Sequence, residues 1–159
     1  MCIRDSSPRL GKFQMNHPNL AVRLETSDTL VDFAREDITV AIRAGAGVWP
    51  GLEAHHLMAV EYTPMISPEL ARRHVLSEPA DLLKLPLLDP GDENWALWMK
   101  TAGVERWEDY RKPGLTMSTD LHEARAALAG YGVALLQPDF FRYELATGGP
   151  VSYTHLTLP

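Results

Sequence analysis

The sequence predicts an α/β fold, and three stretches carry that prediction. Residues 28–51, read DTLVDFAREDITVAIRAGAGVWPG, run from a helix cap through an amphipathic helix and a turn at Arg35-Glu36-Asp37 into a short apolar run, Val40-Ala41-Ile42. They end on Arg43 and a glycine-rich loop closed by Trp49-Pro50-Gly51. Helix, buried strand and then a loop that can meet a ligand form the building unit of α/β domains. Leu115 to Ala129 runs strand, cap and helix. Val133 to Leu136 then follows the Gly130-Tyr131-Gly132 stop as a wholly apolar strand, the mark of a strand buried on both faces.

The elements follow in order. Pro8 to Asn16 places Leu10 and Phe13 on one helical face and is stopped by His17-Pro18, because the residue before proline resists the α region. Ala21 to Glu25 alternates apolar and polar, with Val22 and Leu24 on one side, and predicts a strand. Thr26-Ser27-Asp28 caps the next helix, whose inward face is Leu30, Val31 and Ala34. Val40 to Ile42 is the buried parallel strand, and Leu52 and Leu57 to Tyr62 are further strand material. Pro68 to Arg73 predicts a short helix with proline in its first turn, Ser77 to Leu83 another, and Leu87-Leu88-Asp89 a strand. Trp95, Trp98, Met99 and Ala102 stand at i, i+3, i+4 and i+7 of a helix over Asn94 to Ala102 that Gly103 ends. After the strand Leu115-Thr116-Met117, Ser118-Thr119-Asp120 caps a helix over Leu121 to Ala129, with Asp120 and Glu123 spaced as a capping box. Pro138-Asp139 opens a last short helix.

Composition narrows the function. The chain has 159 residues, 45% of them hydrophobic, which is enough for a real core in one domain or two small ones. A formal charge of -6 and a pI near 5.5 argue against nucleic-acid binding by this stretch, since phosphates must be met by a basic face. The single cysteine, Cys2, leaves no disulfide framework and no multi-thiolate metal site. Metal and catalytic patterns are lacking: no HExxH, CxxC or GxSxG occurs, and neither Gly45-Ala46-Gly47 nor Gly130-Tyr131-Gly132 extends to GxGxxG. The adjacent His55 and His56 point to opposite faces of an extended chain. Neither an enzyme nor a cofactor is expected.

The polar groups that invite a ligand lie at two helix starts, Thr26-Ser27 and Ser118-Thr119. A helix N-terminus offers free N–H groups and a positive dipole end, and neighbouring hydroxyls add donors that suit a carboxylate or another small anion. The plainer role of each such hydroxyl is a helix cap. Arg43 is the best charged anchor, because guanidinium grips carboxylate bidentately; its plainer role is a surface or inter-strand salt bridge. The Trp95/Trp98 pair reads as core before it reads as a stacking platform.

The wording of residues 28–51 resembles the effector-binding domain of LysR-type transcriptional regulators, close to the glycine-cleavage-activator subgroup, where the pattern "lvDf … D.DvAIR.G.G.wpGl" stands at this point. Thr39 departs from it, at a position where the family usually has a second acid. The resemblance implies a two-lobed type-II periplasmic-binding-protein-like fold with its first lobe incomplete. It implies a small-molecule effector, for which an anion fits the groups above, held between the lobes by Thr26, Ser27, Arg43, Gly45, Ser67, Ser118 and Thr119. It also implies dimers and tetramers through helices around Leu10 and Leu121, DNA contact only through an absent N-terminal domain, and a cytoplasmic protein without membrane contact. The alternative is a solute-binding protein of an uptake system, which shares the fold.

The two ends read as foreign. Met1-Cys2-Ile3-Arg4-Asp5 can be encoded ATG-TGT-ATA-AGA-GAC, whose reverse complement, GTC-TCT-TAT-ACA-CAT, translates as Val-Ser-Tyr-Thr-His, the sequence of residues 151–155. Ends so related resemble the adapter that a transposase ligates to both ends of a library fragment. Residues 1–6 and 151–159 are therefore expected to be adapter-derived, 7–62 a partial first lobe and 63–150 the second lobe. A first lobe lacking its first strand would leave an unpaired sheet edge prone to aggregation.

Overall fold

The computed structural model describes residues 3–27, 29–110, 114–117, 119–149 and 151–152. The chain divides into two compact units, Met1–Ala59 and Val60–Pro159.

The first unit opens with α1, Ile3–Asn16, which reaches the expected stop at His17-Pro18. The Phe13 and His17 rings meet across the helix end, with centroids 4.5 Å apart. The expected helix after residue 28 is reduced to a single turn. Asp32 builds it: its carbonyl accepts from the N–H groups of Arg35 and Glu36, and its carboxylate accepts from the Ala34 N–H. Leu30, 78% exposed, is on no buried face. The expected strands at Ala21 to Glu25, Val40 to Ile42 and Leu57 to Tyr62 form no ladder, and among the described residues from 17 to 62 there is neither helix nor strand. Val40 stands 75% and Ile42 43% exposed. The reason is nonlocal: a short β-branched run is stabilised by cross-strand partners and covered faces, and neither is supplied here.

The second unit is a layered α/β body. β1 (Thr63–Ile66) pairs antiparallel with β2 (Ala134–Leu136), Thr63 opposite Leu136, and with β3 (Val151–Ser152), Ile66 opposite Val151. The sheet order is β2-β1-β3, and parallel bridges extend it beyond β2 through Leu87 to Val133 and Leu88 to Leu115. The expected strands 87–89 and 115–117 are thus single bridges. Asp89 leaves the first of them at φ 43.

Two-residue alternation along the strands sorts the core into two layers. Ile66, Leu87, Val133 and Leu135 face one layer with Trp95, Trp98 and Met99 of α3 (Glu93–Thr101). Met65, Leu88, Ala134 and Leu136 face the other, with Ala124, Ala126 and Ala127 of α4 (Asp120–Leu128) and Phe141. Three alanines on one helix face let α4 lie close to the sheet. The Trp95/Trp98 pair is core, its rings edge-to-face at 6.4 Å.

Capping follows the sequence with local corrections. Ser67 caps α2 (Pro68–Arg73), and Asp92 caps α3 through the Asn94 N–H. The expected helix over Ser77 to Leu83 is a 3-10 helix, Pro79–Lys84, and another 3-10 turn, Pro138–Phe141, precedes α5 (Arg142–Ala146). The capping box at Asp120 does not form. Thr119 takes the cap position, which places Asp120 in the first turn and Glu123 on the buried side.

A carboxylate pins the 3-10 helix instead. Asp81 accepts from the Ser77 and Glu78 N–H groups at 2.7 and 3.0 Å and meets Lys84 Nζ at 2.5 Å. The Lys84 ammonium and the two N–H groups hold its carboxyl at about 2. A depressed carboxyl contributes stability that is complete above its ordinary value of 3.8 and is lost as pH falls towards 2. Asp81→Asn is therefore expected to lower the thermal midpoint at neutral pH. That deficit should shrink over the same acid range when the two melts are compared.

Candidate functional site

In the first unit the polar turn is built without a helix. Ser27 Oγ accepts from the Thr29 N–H at 3.1 Å and lies 2.8 Å from Thr29 Oγ1, a hydroxyl turn of the kind serine forms two residues ahead. The Arg43 guanidinium donates to the Thr29 carbonyl. Ser27 and Arg43 are therefore brought together, with Thr29 as the link that the sequence reading missed; a hydroxyl two residues after Ser27 was its only signal. The helix N-terminus expected at Thr26-Ser27 is absent, so its dipole contributes nothing here. Thr26 is exposed and makes no side-chain hydrogen bond among the described residues. Gly45 serves packing: a Cβ there would stand 3.1 Å from Trp49 Cζ2, so the missing side chain lets the indole lie against the loop. Asp28 lies outside the described residues.

In the second unit Ser67 is buried, at 3% exposure, and its Oγ accepts from the Leu70 N–H at 3.1 Å. That is the plain cap. Thr119 is exposed, and its Oγ1 accepts weakly from the His122 N–H at 3.4 Å, so the hydroxyl keeps capacity for another partner. Ser118 lies outside the described residues.

The sequence reading also missed a group of acids beside Thr119. Glu123 is 9% exposed, and its carboxyl is raised to about 7, chiefly by burial and then by the charges of Asp120, Asp89 and Asp92. Burial raises the Tyr62 hydroxyl, a hydrogen bond with the Gln137 side chain works against that rise, and the charges of Asp120, Asp92 and Glu123 add to it. The signal available was weak: four acids near two helix starts, a pattern that dipole complementation alone produces. Among the described residues no group of three His, Cys, Asp or Glu can hold a metal ion. On the outer side of α4 lies an open groove of about 640 Å³ lined by Leu115, Met117, His122, Arg125 and Tyr131.

An antiparallel three-stranded sheet extended by two parallel bridges and packed against α3 on one face and α4 on the other makes the second unit an α/β domain. The chain belongs to the family of LysR substrate-binding domains, whose model matches residues 6–153, and it is an effector-binding domain of LysR-type transcriptional regulators. It is 39% identical over 142 residues to the HTH-type transcriptional activator AmpR of Pseudomonas aeruginosa, covering 88% of this chain and 47% of that protein. It is 32% identical over 143 residues to the glycine cleavage system transcriptional activator of Escherichia coli, covering 89% and 46%. Among solved structures, the effector domain of AmpR of Pseudomonas aeruginosa matches with a TM-score of 0.75 at 37% identity, over 93% of this chain and 71% of that one. The chain spans about half the length of these curated relatives. Regulators of this family bind small-molecule effectors through this domain and act on DNA through an N-terminal one. These relatives are transcriptional activators, which does not favour the transport alternative. No helix among the described residues is long and apolar enough to cross a membrane.

Proposed function

We propose that this chain senses a small metabolite for a LysR-type regulator, shifting the balance of a DNA-binding segment elsewhere in the full protein. The observation that carries this reading is the family match across residues 6–153. A ligand can shift such a balance only by binding one arrangement more tightly than the other. We place the regulator in the cytoplasm, where such a ligand and DNA meet. The finer subgroup we propose is the glycine-cleavage-activator-like one, whose Escherichia coli member is 32% identical, while AmpR of Pseudomonas aeruginosa is 39% identical.

The proposed effector-binding residues are Thr26, Ser27, Arg43, Gly45, Ser67, Ser118 and Thr119. Arg43 supplies a cation for a carboxylate, and the free capacity of Thr119 supplies a donor. A panel of small carboxylic and amino acids, screened by thermal shift, should yield at least one stabilising compound. Arg43→Ala is expected to weaken that compound about tenfold or more. An unchanged affinity in Arg43→Ala would remove it from the site.

Two further proposals concern assembly. The groove on the outer side of α4, next to half-buried Leu121, suits a contact with a second copy, as does the face of α1 around Leu10. We further propose that 21–25, 40–42 and 57–62, expected as strands but forming no ladder, belong to a lobe that completes its sheet with sequence preceding residue 7, with residues 1–6 and 151–159 adapter-derived. Reading the genomic DNA upstream of the Ser7 codon tests this directly. A winged helix-turn-helix and linker helix are expected there, and a signal peptide would overturn the regulator reading.

A further inference from the structure

We propose that residues 104–110 form a flap that opens over the α3 layer of the second unit while the sheet behind it stays folded. The Tyr110 hydroxyl closes the flap, and the indole N–H of Trp98 biases it towards opening. The proposal stands independently of the effector-binding reading. The segment leaves α3 at Gly103, whose φ of 70 turns the chain back. Val104, 9% exposed, enters the core. Arg106 then takes the left-handed conformation at φ 59 without being glycine, which strains the backbone. The 3-10 turn Trp107–Asp109 follows and meets α3. Its backbone bonds are short-range: the Asp109 N–H donates to the Arg106 carbonyl and the Tyr110 N–H to the Trp107 carbonyl, each at 3.0 Å. Arg106 also pairs with Asp109 at 2.6 Å, but both side chains are mostly exposed, where such a pair contributes little. The half-buried Trp107 and Tyr110 rings stack 6.5 Å apart and lie against the core layer that holds Trp98.

The Tyr110 hydroxyl latches this segment to the sheet. It accepts from the Leu87 N–H at 2.8 Å and donates to the Leu85 carbonyl at 3.1 Å, standing where a neighbouring strand would otherwise pair. Opposing the latch is Trp98, 2% exposed, whose Nε1 is buried with no hydrogen-bond partner among the described residues. Its neighbour Trp95 shows the ordinary arrangement, with Nε1 donating to the Leu88 carbonyl. A buried donor left unmet carries a desolvation cost that water removes on contact. Strain at Arg106 and the unmet N–H favour the open state, whereas the latch and the stacked rings favour the closed one. A balance of that kind produces local opening with the rest of the unit intact.

Residue-resolved amide hydrogen exchange on the 159-residue chain tests this. The Leu87, Asp109 and Tyr110 amides report the latch and the flap. Leu88 and Val133, whose N–H groups donate to the Val133 and Pro86 carbonyls, report the sheet. After correction for intrinsic rates, the flap amides are expected to exchange at least about tenfold faster than the sheet amides. Tyr110→Phe should speed the flap amides about tenfold further and leave Leu88 and Val133 unchanged. Benzothienylalanine at position 98 keeps the two-ring shape of tryptophan without the N–H, and should slow the flap amides about tenfold. Flap and sheet amides exchanging at one common rate would mark a single cooperative unit and overturn the proposal. So would flap exchange that is unchanged or faster with benzothienylalanine.

Discussion

Replacing Trp95 by alanine is expected to destabilise the second unit by about 3–5 kcal/mol, the range for deleting a large buried aromatic. Trp95 is 1% exposed, meets Trp98 edge-to-face, and packs between α3 and the sheet face formed by Ile66, Leu87, Val133 and Leu135. Its Nε1 also donates to the buried Leu88 carbonyl at 2.9 Å, fixing the backbone where the chain turns into Asp89. A domain is typically stable by only about 5–15 kcal/mol, so the loss is a large share of the whole. Phenylalanine separates packing from hydrogen bonding. Trp95→Phe keeps most of the volume but orphans the Leu88 carbonyl, for about 1–3 kcal/mol. Trp98 Nε1 has no partner among the described residues, so Trp98→Phe breaks no hydrogen bond and should cost less. Urea denaturation of the three variants decides the order. A Trp98→Phe loss as large as that of Trp95→Phe would refute this account.

How far the fold was legible follows from the range of each interaction. Trp95, Trp98 and Met99 revealed α3 because a helix encodes its buried face within a few residues. Val133 to Leu136 revealed a central strand because a strand covered on both faces is apolar throughout, and all four residues are buried. Val40-Ala41-Ile42 has the same local character and forms no ladder, since pairing depends on partners that no window contains. The Asp120–Glu123 spacing suggested reciprocal capping, but Thr119 takes the cap one position earlier and leaves Glu123 to be buried. The site was legible to a similar degree. Thr119 takes the cap role that the sequence favoured because caps are local, and Ser67 likewise caps α2. The Ser27–Thr29–Arg43 link and the left-handed Asp89 depend on where the chain folds back, which spacing does not record.

Glu123→Gln is expected to stabilise the second unit at neutral pH and to flatten its response to pH. The Glu123 carboxyl lies at about 7 in the fold against an ordinary 4.5. Between those values the folded chain binds more protons than the unfolded chain, so stability falls as pH rises. The contribution is fully present below pH 4.5, declines up to about 7, and is constant above that. Water reaching the edge of the carboxylate screens part of the penalty, which leaves an effect on the order of 1–2 kcal/mol. For a chain of this size that is a rise of about 2–6 °C in the melting midpoint above neutral pH. Glutamine has the shape of the protonated acid and no charge to desolvate, so variant and parent should melt together at acid pH and diverge as pH rises. Burial sets the sign of the divergence, and Asp120 and Asp89 add to it: removing either charge in the parent, as in Asp120→Asn, should shift the transition of Glu123 to lower pH. Two melting curves that run parallel from pH 4.5 to 8 would show that Glu123 is solvated as an ordinary acid.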